Sequence, residues 1–203
     1  MSTRYCLVTG ANRGLGLEFA RQLLARGDRV IATCRHPGKA GALNALAGEH
    51  PGRLRVVPLD VAETGRHAAL VQASDLETSF RTHALGPFLL VQALFPQLAD
   101  GATVANISSE IGSIGLRQEF RTPSYAIGKA AQNMATSLLA QALKARGIKT
   151  VALHPGWVRT DMGGTSAPLT PHDSVAGLLR VIDGLQAGDS GRFLDWQGQP
   201  LPW

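Results

Sequence analysis

The sequence predicts an α/β protein, a single domain built on a parallel sheet with helices on both faces. Short β-branched or apolar runs alternate with longer segments whose apolar residues recur at three- and four-residue steps. A glycine-rich turn stands between the first run and the helix pattern after it. The length of 203 residues suits one domain, so 1–203 is taken as one unit. Strands are expected at Tyr5–Thr9, Arg29–Thr33, Leu54–Pro58, Thr103–Ile107, Lys149–Leu153 and Arg192–Leu194. Helices are expected at Gly14–Arg26, Leu76–Leu98, Ser124–Ala145 and His172–Leu185, with no repeat, low-complexity tract or linker between them. The stretch from Gln197 to Trp203, with its two prolines, reads as a tail packed on the surface.

Composition excludes several classes. No stretch is apolar over the ~18 residues that a membrane span requires. The N-terminus runs from Met1-Ser2-Thr3-Arg4 into Tyr5-Cys6-Leu7-Val8 without a signal core, so a cytoplasmic protein is expected. Cys6 and Cys34 fall in or beside expected strands and read as small hydrophobes, not as a disulfide or metal site. The formal charge of +5 is spread along the chain without a clustered aromatic or zinc motif, which favours solvated surface over nucleic-acid binding.

The first strand leads into Gly10-Ala11-Asn12-Arg13-Gly14-Leu15-Gly16. Glycines there let the backbone turn tightly and approach a pyrophosphate, whose charge is favoured by the free N–H groups and dipole of a helix start. The spacing is a variant of the G-x-G-x-x-G pattern, and a purely structural turn is the competing reading. The second strand ends Thr33-Cys34-Arg35 with no carboxylate to select a ribose hydroxyl. Arg35, together with Arg13, can instead hold a 2′-phosphate through forked hydrogen bonds, which favours NADP(H) over NAD(H); two arginines that merely face water are the alternative.

Tyr125 and Lys129 stand four apart in a helical segment and share one face. A free phenol has a pKa near ~10, and a neighbouring ammonium lowers it by stabilising the phenolate. Tyr125 is thus the candidate general acid in reduction and general base in oxidation. Lys129 is expected to lower its pKa and to hold a cofactor ribose hydroxyl. Ser108 and Ser109 follow the strand Thr103–Ile107, on the edge where open α/β sheets bind ligands. Ser109, three residues before Gly112, is the better candidate to bond a substrate carbonyl oxygen; Ser108 is expected to satisfy backbone groups in the turn. After the next strand comes His154-Pro155-Gly156-Trp157-Val158-Arg159-Thr160-Asp161-Met162. Pro155 and Gly156 can turn the chain across a nicotinamide whose carboxamide Thr160 bonds, or form an ordinary turn. Trp157 and Met162 either line a substrate pocket or pack beneath the loop.

These motifs occur in an order that resembles the short-chain dehydrogenase/reductase family over nearly the whole chain: Thr9 to Gly16, then Ser109 with Tyr125 and Lys129, then Pro155-Gly156 with Thr160. Gly191-Arg192-Phe193-Leu194-Asp195 and Leu201-Pro202-Trp203 are similar to its C-factor and sniffer-type carbonyl reductase branch. The resemblance implies a single Rossmann-like, doubly wound parallel sheet, a nicotinamide cofactor and catalytic roles for Ser109, Tyr125 and Lys129. It also implies that Asp60 and Val61 contact adenine. Cofactor contacts are then expected from Gly10, Asn12, Arg13, Gly14, Leu15, Gly16, Arg35, Asp60, Val61, Tyr125, Lys129, Pro155, Gly156, Val158 and Thr160. The family further suggests a symmetric homodimer through the helix of Tyr125 and the helix Leu76–Leu98.

Two departures stand beside the matches. The family's Asn-Asn-Ala-Gly loop is absent, and the chain after Asp60 is too short for a full helix and a fourth strand. Either Ala68–Ser74 is a reduced strand, or Ala62–Ala73 is a short helix or loop across the top edge; the spacing of His67, Leu70 and Val71 favours the second. His83 stands where the family has Asn, as a water-relay residue toward Lys129 or as an ordinary helix residue. The expected activity is NADP(H)-dependent reduction of a small-molecule carbonyl, or oxidation of an alcohol. The competing expectation is a catalytically impaired relative that binds nucleotide or a partner for signalling.

Overall fold

A computed structural model describes residues 4–60 and 73–203. They fall into two compact units. The first, 4–60 with 157–176, contains β1 (Tyr5–Val8), α1 (Gly14–Ala25), β2 (Arg29–Cys34), α2 (Gly41–Glu49) and β3 (Leu54–Pro58). The second, 73–156 with 177–203, contains α3 (Ala73–Phe80), α4 (Gly86–Leu94), β4 (Thr103–Ile107), α5 (Pro123–Leu143), β5 (Lys149–His154) and β6 (Phe193–Asp195). The boundary falls within α6 (Pro171–Gly184). All six expected strands are present, paired as two three-stranded parallel sheets, β1-β2-β3 and β4-β5-β6. The alternative paths through 62–72, and Val61, lie outside the described residues; Ala73 and Ser74 open α3, so a strand does not extend to them.

In the first unit, α1 and α2 join successive neighbouring strands. Right-handed crossovers taken in the same direction leave both helices on one face of the sheet. That face holds the core: Leu17, Ala20, Leu23 and Leu24 of α1, Leu43 and Leu46 of α2, and Val30, Ala32 and Leu54 of the strands. On the strands, Tyr5, Leu7 and Ile31 are exposed. Helix α2 has no counterpart in the sequence expectations. Its nine residues include Gly41 and Gly48 and bury only Leu43 and Leu46, a weak periodic signal.

In the second unit β5 is the middle strand, and Val151, Ala152 and Leu153 are fully buried. Its register sets Ile107 beside Leu153 and His154 beside Asp195, so the carboxyl ends of the three strands align. Leu139 and Leu143 of α5 pack with Val91 and Ile148. The expected helix Leu76–Leu98 is continuous but not uniform: α3 passes through a π-turn, Arg81–Leu85, into α4. The 197–203 segment packs as expected. Trp203 stacks on Phe193 at 5.6 Å, and Ser113 Oγ donates to the Pro202 carbonyl at 2.7 Å. Among the described residues no helix is long and apolar enough to cross a membrane.

Candidate active site

The chain leaving β4 is fastened before it reaches Ser109. Ser108 donates its backbone N–H to Leu153 at 2.7 Å and its hydroxyl to Asn133 Oδ1 at 2.5 Å. Ser108 thus bonds a side chain on α5, in place of the turn's own backbone, because that helix packs directly over the strand exit. Ser109, 8% exposed, caps the short 3₁₀ turn Glu110–Gly112 by accepting from Ile111 N–H at 3.2 Å. Gly112 touches α5: a Cβ there would lie 2.7 Å from the Lys129 backbone carbon, so only glycine permits this approach. The turn thereby sets the Ser109 hydroxyl where it interacts with the Tyr125 phenol.

Lys129 is 7% exposed. Its Nζ donates to the Ile107 carbonyl at 2.7 Å and to Gln132 Oε1 at 2.9 Å, and lies 5.7 Å from the centroid of the Tyr125 ring. Burial lowers its pKa from 10.5 to about 8, because a desolvated ammonium loses hydration. The expected lowering of the Tyr125 phenol by Lys129 is not met: burial pushes the phenol above its ordinary value, and the interaction with Ser109 opposes this only in part. The expectation weighed the neighbouring charge and left out the desolvation of the phenolate.

His83 joins this group from the π-turn, its ring edge-on to Tyr125 at 5.2 Å between centroids. Burial, and then the Lys129 charge, bring its pKa from 6.5 to about 4, so it is neutral near pH 7. On the other side, His154 Nδ1 accepts from the Glu110 N–H at 3.3 Å, and its Nε2 lies 3.7 Å from the Glu110 carboxylate. Burial lowers its pKa against the opposing pull of Glu110 and Asp195. Sequence reasoning missed Gln132, Asn133 and this His154–Glu110 contact. The first two were signalled by their spacing, three and four residues beyond Lys129 on the same helix face. Pro155 and Gly156 follow β5 directly, and Gly156 has φ +80. No group of three or more potential metal ligands occurs among the described residues.

In the first unit the glycine-rich turn has the form its sequence requires. Gly10 and Gly14 have φ of +64 and +55, and a Cβ on Gly16 would collide with the Gly10 carbonyl. Ala11, fully buried, donates its N–H to Thr33 at 2.9 Å and ties the turn to β2. Helix α1 begins at Gly14 with no side-chain cap and no acid in its first turn, which leaves its N–H groups for an anion. Asn12 and Arg13 are exposed, and Leu15 is half-buried. Arg13 does not stand free beside Arg35: it pairs with Asp161 at 2.8 Å. Arg35 is exposed and Asp60 half-buried.

The Arg13–Asp161 pair borders a cavity of about 290 Å³, lined also by Gly14, Leu17, Arg159 and Thr160. Thr160 Oγ1 accepts from Gly163 N–H at 3.2 Å and donates to the Val158 carbonyl at 3.4 Å, and its methyl faces Gly14. Val158 is buried and bridges to Leu169. Trp157 and Met162 are 55% and 80% exposed, so neither packs beneath the loop. Each unit therefore gathers one set of the expected residues: Ser109, Tyr125 and Lys129 in the second, and the glycine turn with Arg13, Val158 and Thr160 in the first.

A family model described as short chain dehydrogenase matches residues 4–78 and 68–168. It does so in two overlapping parts, which meet near the stretch where the Asn-Asn-Ala-Gly loop is lacking. The C-signal protein of Myxococcus xanthus is 45% identical over 135 residues, 66% of this chain and 81% of that protein. Among solved structures, the carbonyl reductase Sniffer of D. melanogaster superposes with a TM-score of 0.89 at 28% identity. An NADPH-bound carbonyl reductase from chicken fatty liver does so with a TM-score of 0.89 at 37% identity. Both matches cover 100% of each chain.

Proposed function

This chain belongs to the short-chain dehydrogenase family, in its C-factor and sniffer-type branch, and on that footing we propose that it is an NADP(H)-dependent reductase of small-molecule carbonyls. The observation that supports this best is the buried Lys129 ammonium 5.7 Å from the Tyr125 ring, with the buried Ser109 hydroxyl interacting with the same phenol. The NADPH found in the chicken reductase fits what the first unit offers: an uncapped helix start behind a glycine turn that carries Arg13, with Arg35 and no acid just after β2. Gly10, Asn12, Gly14, Leu15 and Gly16 would hold the diphosphate, and Arg13 and Arg35 the 2′-phosphate. Asp60 and Val61 would serve adenine; Pro155, Gly156, Val158 and Thr160 would serve the nicotinamide. Bound NADPH supplies the hydride that reduces the carbonyl carbon.

The protein supplies the rest. Ser109 donates a hydrogen bond to the carbonyl oxygen, and Tyr125 delivers the proton that completes the alcohol. A phenol held above its ordinary pKa stays protonated near pH 7, which suits donation and therefore reduction. The positive charge of Lys129 stabilises the phenolate left behind, and a remaining N–H of its ammonium bonds a ribose hydroxyl. Purified protein should oxidise NADPH with a panel of aldehydes, ketones and quinones. Tyr125→Phe should lower kcat roughly a hundredfold to ten-thousandfold. Tight NADPH binding with no turnover of any substrate would remove the enzyme claim.

A second reading, a catalytically impaired relative that senses nucleotide or binds a partner, is favoured by the missing loop and by His83 at the family's Asn position. Fluorescence titration with NADPH, set beside the reduction assay, separates the two: turnover supports the enzyme, binding alone a sensor, and neither a partner-binding role.

A further inference from the structure

Helix α5 turns an unusual face inward. Lys129, Gln132, Asn133 and Thr136, spaced three, four and seven residues from the lysine, are all buried. Asn133 and Thr136 tie the helix to β4 and its exit, accepting from Ser108 Oγ at 2.5 Å and from Asn106 Nδ2 at 2.8 Å. Gln132 is different. Its amide oxygen receives the Lys129 ammonium itself, and the side chain is only 5% exposed. An apolar residue would fill the same volume without the cost of desolvating an amide.

We propose that Gln132 is a positioning residue for the reaction: its side-chain carbonyl, with the backbone carbonyl of Ile107, fixes the Lys129 ammonium and keeps it charged. The role follows from hydrogen-bond capacity. An ammonium has three N–H donors and accepts nothing. Two are committed, at 2.7 Å to Ile107 and at 2.9 Å to Gln132, and they aim the third. Among the described residues no carboxylate lies within ion-pair distance of Lys129. The titratable groups that face it are Tyr125 on its own helix and His83 from the π-turn, neither of which is anionic near neutral pH. With no counter-ion among the described residues, two carbonyl dipoles offset the burial that draws the lysine pKa to about 8. The catalytic consequence rests on the carbonyl reductase reading; the Lys129–Gln132 contact does not.

Gln132→Met removes the acceptor at similar volume, and Gln132→Glu keeps an acceptor and adds a negative charge. The readout is the titration midpoint of Lys129, followed by NMR of ¹³C-lysine-labelled free protein. Only Lys39, Lys129, Lys144 and Lys149 contribute, and a Lys129→Met spectrum assigns the signal. The midpoint should fall by about one pH unit or more in Gln132→Met and rise in Gln132→Glu. The alkaline limb of kcat should move with it in both. An unmoved midpoint in both variants overturns the proposal, and Gln132→Glu decides alone if Gln132→Met does not fold. Should the wild type reduce no carbonyl, the functional reading fails while the NMR midpoint still tests the role of Gln132.

Discussion

The His83 imidazole meets the Tyr125 ring edge-on, with the planes at 88°. The contact follows from the π-turn Arg81–Leu85 and from Gly128, where a Cβ would come within 3.2 Å of His83 Cδ2. A folded-state pKa of about 4 against 6.5 means that the unfolded chain takes up the proton first as pH falls. Stability from a neutral His83 is therefore complete above pH 6.5 and is lost progressively toward pH 4. His83→Asn should flatten this part of the acid-side fall in melting temperature, leaving the contribution of His154, which is shifted in the same direction. Identical pH slopes for wild type and variant would contradict the burial described for His83.

Arg13 is held by Asp161 in a pair whose side chains are 70% and 79% exposed. Such a pair contributes only about 0.2–1 kcal/mol, so a phosphate can displace it readily. Arg13→Ala is expected to raise the KM for NADPH about tenfold or more and to leave that for NADH unchanged, because hydrogen bonds to charged groups contribute about 1.5–3 kcal/mol. Asp161→Asn should lower the KM for NADPH. Steady-state kinetics with both cofactors reads the difference, and equal effects on NADPH and NADH would place the 2′-phosphate elsewhere.

Gly112 is the point where the Ser109 turn rests on α5. Gly112→Ala drives a Cβ against the Lys129 backbone and should destabilise the protein by about 1–3 kcal/mol. Activity should fall as well, since the turn that carries Ser109 must move. Gly48→Ala in α2, with nothing within 4 Å of the added Cβ, is the control and should be neutral or stabilise by about 0.4–1 kcal/mol. Denaturant unfolding of the two variants gives the comparison.

On the outer face of α5, Ile127, Met134 and Leu138 are 51%, 62% and 57% exposed, in one stripe at helical spacing. The homodimer we propose would cover this stripe with its copy. Light scattering after size exclusion should give a dimer mass for the wild type and a monomer for Ile127→Lys/Leu138→Lys. A monomeric wild type at micromolar concentration would dispose of the dimer.

Much of the candidate site's local geometry was legible because its signals are local. The step from Tyr125 to Lys129 is one helical turn, Ser109 follows a strand end, and Gly10, Gly14 and Gly16 mark a backbone that other residues cannot follow. Helix α2 escaped because its two buried leucines give little periodicity. The π-turn escaped because one extra residue per turn leaves no mark in an apolar pattern. Asp161 could not be paired with Arg13 from a distance of 148 residues along the chain.

The alternation of strands and helices, the glycine-rich turn and the candidate set Ser109, Tyr125 and Lys129 were readable from the sequence alone, because each depends on spacing within a single element or turn. Protonation was decided by the tertiary structure. Whether Tyr125 is raised or lowered, whether His83 is neutral and which oxygen receives the Lys129 ammonium depend on water removed and dipoles brought near by residues distant along the chain. Desolvation belongs to the packed site and not to any residue in it, so it emerges only when the helices and strands have closed around these groups.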